Sequence, residues 1–72
     1  RVNSIACGFT LTEMMADASP EVIAHMSAKI AMGRPAQARE QAEVAAFLAS
    51  DRSSFVTGTV IPVDGGWTAR IA

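Results

Sequence analysis

Ser53-Ser-Phe-Val-Thr-Gly-Thr-Val-Ile-Pro-Val-Asp-Gly-Gly-Trp67 is the stretch whose reading decides the fold. Within it, Thr59 to Val63 is β-branched apart from Pro62, and a Gly-Gly pair closes the run. That is the pattern of a strand stopped by a turn. The segment upstream reads as helices with apolar faces, of the kind that pack around such a strand. The question for the whole chain is which sheet this strand joins.

Composition sets the outer bounds. The chain has 72 residues, so it is one small domain at most. A chain this short buries only about 60% of its unfolded surface, and independent stability is expected to be marginal. Half of the residues are apolar and the formal net charge is −1, which fits an α/β or helical piece and excludes a disordered tail. The basic residues are scattered and outnumbered by acidic ones, so no nucleic-acid surface is expected. No apolar run approaches the ~20 residues of a membrane span. The single cysteine, Cys7, has no partner for an internal disulfide, which leans towards a cytoplasmic setting. The chain opens on Arg1 without an initiator methionine or a signal peptide and is expected to be a fragment.

Working outward from the strand, Val2 to Ala6 reads as the end of another strand, with Cys7-Gly8 turning the chain. Thr10-Leu-Thr-Glu13 matches a capping box and predicts a short helix through Met14 and Met15 to Ala18. Ser19-Pro20-Glu21 starts a second helix: an N-cap serine, proline in the first turn and an acid at the positive end of the dipole. Its apolar face is Val22, Ile23, Met26 and Ile30, with Glu21, His25 and Lys29 on the polar side. Gly33 is expected to end it, and Arg34-Pro35 to prevent its continuation. A third helix is predicted from about Ala38 to Ser50, with Val44, Phe47 and Leu48 inward and Arg39, Glu40 and Glu43 outward. Asp51 to Ser54 reads as a polar loop. Strands that alternate with helices imply a parallel sheet, most of which lies outside this chain. Two strands alone do not make a stable sheet.

These residues also resemble a known family. Arg1-Val-Asn-Ser-Ile-Ala-Cys-Gly-Phe-Thr-Leu-Thr-Glu-Met14 is similar to the segment after the catalytic part of short-chain dehydrogenases/reductases, Val-Asn-x-Ile-x-Pro-Gly-x-x-x-Thr-x-Met. Gly33-Arg34, Glu43-Val-Ala45, Phe47-Leu-Ala-Ser-Asp51 and Val63-Asp-Gly-Gly66 resemble that family's following motifs, in the same order. The resemblance implies the C-terminal part of a Rossmann-type doubly wound parallel sheet, with residues 1–72 as one fragment of a single dinucleotide-binding domain. It implies hydride transfer between NAD or NADP and a small-molecule carbonyl or alcohol. Cys7, Gly8, Thr10 and Thr12 are the implied cofactor-binding residues: the turn beside the nicotinamide, a backbone contact at Thr10 and a hydroxyl contact at Thr12. Cys7 stands where the family has proline.

The family's glycine-rich turn and its Ser and Tyr-x-x-x-Lys active site fall outside these motifs. This chain contains no tyrosine, and its one lysine, Lys29, lies on the polar face of a helix. The 72-residue chain alone is therefore expected to be inactive, with no catalytic residue of its own. Plainer readings stand beside these. Thr10 and Thr12 also suit helix caps, Cys7 a small partly buried residue, and Met14, Met15 and Met26 core filler. His25 has no second ligand at metal spacing, and Gly65-Gly66 lacks the Lys-Ser/Thr ending of a phosphate loop. Family members assemble as dimers or tetramers, so a homo-oligomer is implied, through Val44, Phe47 and Ser53 to Val63. The alternative is a truncated, non-catalytic assembly piece that binds a partner subunit and no dinucleotide.

Overall fold

A computed structural model describes residues 1–13 and 17–69. In chain order it has β1 (Ser4–Cys7), β2 (Thr10–Leu11), α1 (Pro20–Ser27), β3 (Ala36–Gln37), α2 (Ala38–Ala49), a 3-10 turn (Asp51–Ser53) and β4 (Val60–Val63). β1 and β4 pair in parallel, with Ser4, Ile5, Ala6 and Cys7 opposite Val60, Ile61, Pro62 and Val63. The expected parallel α/β arrangement is thus present, its two strands joined by a crossover that carries both helices.

The register explains how proline sits in a strand. Ser4 N donates to Thr59 O and Gly8 N to Val63 O, so the odd-numbered residues of β4 face β1. Pro62 therefore turns its donorless nitrogen to the outer edge, where no ladder bond is lost. Side chains Ile5 and Ile61 are half-buried, whereas Ser4, Ala6, Val60 and Pro62 are exposed.

Polar side chains tie the start of β1 to the end of α2. The Arg1 guanidinium donates to Leu48 O, Ser50 O, Val56 O and the Ser53 hydroxyl at 3.0–3.2 Å. It thereby satisfies carbonyls that the end of α2 leaves open and sets a positive charge at that end of the helix dipole. Asn3 mimics a strand, donating to Val56 O and accepting from Thr59 N at 3.0 and 3.1 Å. The stretch expected as a polar loop is this turn, and Ser53 within it is only 1% exposed, its hydroxyl bonded to Leu48 O and Ser50 O.

Several local expectations change. Thr10 does not cap a helix: it lies in β2, which pairs in parallel with β3 through Thr10–Ala36 and Leu11–Gln37. Strands of two residues leave no periodicity to read. The rest of the expected first helix falls mainly on residues 14–16, outside the described residues. α1 starts as read, with the Ser19 hydroxyl accepting from Val22 N and Pro20 in the first turn, but it ends at Ser27 rather than Gly33. Ile30 in the following turns is the one buried hydrophobic side chain among the described residues, 4% exposed. α2 matches its predicted span. Val44 and Leu48 are half-buried, but Phe47 is 42% exposed because nothing among the described residues covers that side of the helix.

The capping arrangement expected at Thr10–Glu13 occurs instead at the start of α2. The Glu40 carboxylate accepts from Gln37 N at 2.9 Å and pairs with both terminal nitrogens of Arg34 at 2.8 and 2.9 Å. Arg34 first, then the Gln37 amide, lower the Glu40 carboxyl to about 2. Glu40 therefore turns towards Arg34 instead of simply facing water, while Arg39 and Glu43 are exposed and 3.9 Å apart.

Candidate functional site

β1 and β4 end side by side, Cys7 opposite Val63, and the bond from Gly8 N to Val63 O (3.0 Å) is their last rung. In open parallel sheets the carboxyl ends of strands are where ligands bind, because the departing loops leave a crevice there. Here the chain leaves β1 through Gly8 and Phe9 towards β2, and leaves β4 through Asp64 to Trp67. Between them lies an open, mostly apolar depression of about 360 Å³ lined by Cys7, Gly8, Phe9, Met26, Asp64, Trp67 and Thr68.

Gly8 is required at this point by its neighbour. A β-carbon there would lie 2.6 Å from Asp64 Cα and 2.7 Å from Asp64 Cβ, well inside van der Waals contact. The turn that brings Asp64 so close is shaped by its own carboxylate. Oδ1 accepts from Gly66 N at 3.0 Å, and Oδ2 accepts from Thr68 N at 3.1 Å and the Thr68 hydroxyl at 2.7 Å. The Thr68 hydroxyl foremost, then the two amides, hold the Asp64 carboxyl below the usual carboxylate range. On its other side the turn is bolted to the chain after α1: Met32 N donates to Gly65 O at 2.9 Å, and Gly66 (φ 92°) packs on Ala31.

Of the residues read from the sequence, the structure groups three. Cys7 and Gly8 stand at the strand end, and the Thr10 hydroxyl donates back to Gly8 O at 2.9 Å. Thr12 is exposed, one residue beyond β2. Cys7, the last residue of β1, is exposed at the mouth of the depression rather than partly buried. Met26 lines the same depression; Met14 and Met15 lie outside the described residues. His25 is exposed, and no cluster of three metal-binding side chains occurs among the described residues.

Two residues with roles at the site went unread. Gln41, on α2, donates through Nε2 to Val63 O at 2.8 Å and to the Thr10 hydroxyl at 3.3 Å, so one amide ties α2 to the end of β4 and the start of β2. Its Oε1 is buried without a hydrogen-bond partner. Nothing in the sequence separates Gln41 from any polar residue on a helix. Asp64 had a signal: aspartate before glycine, with a hydroxyl residue four positions on, is the composition of a side-chain-closed turn.

The likeness to known proteins covers nearly all of the chain. Residues 1–68 match the family described as enoyl-(acyl carrier protein) reductase. The chain is 48% identical over 69 residues to cis-4-hydroxycyclohexanecarboxylate dehydrogenase of Sinomonas cyclohexanicum, covering 96% of this chain and 28% of that protein. It is 38% identical over 73 residues to the short-chain dehydrogenase/reductase aba4 of Botryotinia fuckeliana, covering 93% of this chain and 28% of that one. In three dimensions it superimposes on the 3-oxoacyl-[acyl-carrier protein] reductase of Brucella melitensis with a TM-score of 0.86 and 45% identity, over 92% of this chain and 25% of that one. The chain thus spans 28% of the length of each of these two curated relatives. With the parallel strand ends, the Asp-Gly-Gly turn and this agreement in sequence and backbone together, the chain belongs to the short-chain dehydrogenase/reductase family.

Proposed function

We propose that this segment forms one wall of the dinucleotide site in an NAD(P)-dependent oxidoreductase that interconverts a carbonyl and an alcohol. The observation that carries the reading is the depression at the joint carboxyl ends of β1 and β4. Its apolar lining suits the face of a planar ring, and the adjoining loop is held in place by Gly8, Thr10 and Gln41. When bound, the nicotinamide supplies the hydride acceptor or donor. Cys7 and Gly8 border the ring, Thr10 offers its backbone, and Thr12 offers an exposed hydroxyl to the carboxamide or pyrophosphate. The proton-transferring groups belong to the rest of the domain, and the segment by itself turns nothing over.

The open surface supports its place in a larger domain. Its accessible surface is 5350 Å², against roughly 4,200 Å² for a compact protein of its mass. Among the described residues β1 pairs along one edge only, and a groove of about 520 Å³ lies between its side chains and α2, lined by Asn3, Ile5, Ala45 and Leu48. Further parallel strands would complete the sheet there. The assembly surface narrows from the residues first expected. Ser53 is buried within the chain, so among those residues Phe47, Phe55 (fully exposed) and Val60 (62% exposed) have area to offer a second subunit.

Thr12→Ala in the complete protein tests the cofactor wall. Losing one hydrogen bond should weaken NADH or NADPH binding by about 0.5–1.5 kcal/mol. An unchanged dissociation constant for both, with the fold intact, removes Thr12 from the site.

A further inference from the structure

We infer that Asp64 is a positioning residue, which fixes the height of the Cys7–Thr10 loop above the strand ends by folding the turn that backs Gly8. The inference rests on the cofactor wall proposed above and concerns what holds that wall in shape. Asp64 acts in two directions at once. Its backbone fills the space that a side chain at position 8 would need, so the loop can come no closer to β4 and has no gap to drop into. Its carboxylate, through Gly66 N, Thr68 N and the Thr68 hydroxyl, gives the turn a single shape. The same turn is anchored at Met32 and Ala31 beyond α1, and Met26 of α1 faces the depression beside Trp67. One carboxylate therefore sets two walls of the depression relative to each other.

The chemistry of the side chain is specific. Both oxygens accept and neither donates, since all three partners are N–H or O–H groups. An asparagine keeps one acceptor and turns an NH2 towards donors at the other. Removing the carboxylate frees the turn, so the Asp64 backbone behind Gly8 is no longer held in one position.

The test uses the complete protein and measures NADH and NADPH dissociation constants, kcat and KM, and melting temperature. Asp64→Ala removes the three hydrogen bonds that shape the turn and should raise the dissociation constant of the preferred dinucleotide roughly tenfold. It should also lower kcat more than it raises substrate KM. Asp64→Asn should lie between Asp64→Ala and the unchanged protein. Ser53→Ala, which removes a buried hydroxyl at the opposite end of the strand pair, should lower the melting temperature and leave dinucleotide binding within about twofold. If Asp64→Ala does not fold, Thr68→Val, which removes only the hydroxyl's bond, takes its place, with a rise of roughly threefold expected. Unchanged binding in the Asp64 or Thr68 variant, while Thr12→Ala weakens it, overturns the positioning role and leaves the cofactor wall standing. Unchanged binding in Thr12→Ala and the Asp64 variants alike removes the wall and the inference with it. Equal weakening by Ser53→Ala at a matched melting temperature reduces the effect to general loosening and also overturns it.

Discussion

Three alanine substitutions in the complete protein separate the two reasons a glycine is needed here. At Gly58 the backbone has φ 71°, and a β-carbon would meet nothing within 4 Å. Gly58→Ala therefore carries conformational strain alone, about 1–2 kcal/mol, offset by about 0.4–1 kcal/mol from the stiffer unfolded chain. The net cost is about 1 kcal/mol. At Gly8 φ is not positive, but the new carbon would fall 2.6 Å from Asp64 Cα. That contact is with backbone, so no side-chain rotation relieves it and the ends of β1 and β4 must part. Overpacking of this kind costs about 1–3 kcal/mol before the same offset. At Gly66 both causes act, with φ 92° and a β-carbon 2.7 Å from Ala31 Cβ, and the net cost is about 3 kcal/mol. Equilibrium unfolding in urea, with m unchanged across the set, gives the three values directly. The order Gly66 above Gly8 above Gly58 is expected. A Gly8→Ala protein as stable as the parent, or a Gly66→Ala protein no worse than Gly58→Ala, refutes the close approach of Asp64 and Ala31 on which the site geometry rests.

The pH dependence follows from Glu40. Its folded pKa is depressed to about 2, so it contributes stability above the ordinary carboxylate pKa and loses it as pH falls from about 4.5 towards 2. Melting temperatures between pH 7 and pH 2 should fall less steeply through that window in Glu40→Gln, and an identical slope rules out the pair with Arg34 as the source. For assembly, Phe55→Asp should shift the complete protein to a smaller species on size exclusion with light scattering. An unchanged mass removes this face from the subunit contact. The isolated segment should show no dinucleotide-dependent turnover, and measurable turnover in a purified sample would contradict the assignment of proton transfer to the rest of the domain.

The sequence made the large elements legible where a physical signal was strong. β4 announced itself through β-branched residues and a Gly-Gly stop, α1 through Ser19-Pro20, and α2 through a run of good helix formers after Pro35. What it left hidden has definite causes. β2 and β3 are two residues each, and their pairing depends on a long-range register that no local pattern encodes. Thr10 could serve equally as a cap or in a strand, and the choice fell to tertiary contacts with Ala36 and Gln41. α1 stops at Ser27 although its apolar spacing continues to Ile30, because Met32 and Ala31 are drawn to the turn at Gly65-Gly66. Of the site, Gly8 was legible as the point where the chain turns, but the packing of the Asp64 backbone against it was not.

That difference bears on how the segment works. With Ile30 as the one buried hydrophobic side chain among the described residues, apolar packing within the segment is too slight to fix the loop at the strand ends. The loop is held instead by directional contacts: Gln41 to Val63 O and Thr10, Thr10 to Gly8 O, and Asp64 to its own turn. Hydrogen bonds fix geometry more sharply than apolar contacts, which are non-directional. On the reading proposed above, overall stability comes chiefly from surfaces shared with further strands, and site geometry from polar contacts within this chain. Substitutions in the Gln41–Thr10–Asp64 set should accordingly change dinucleotide binding more than melting temperature, and substitutions at Ile5, Leu48 or Ile61 the reverse.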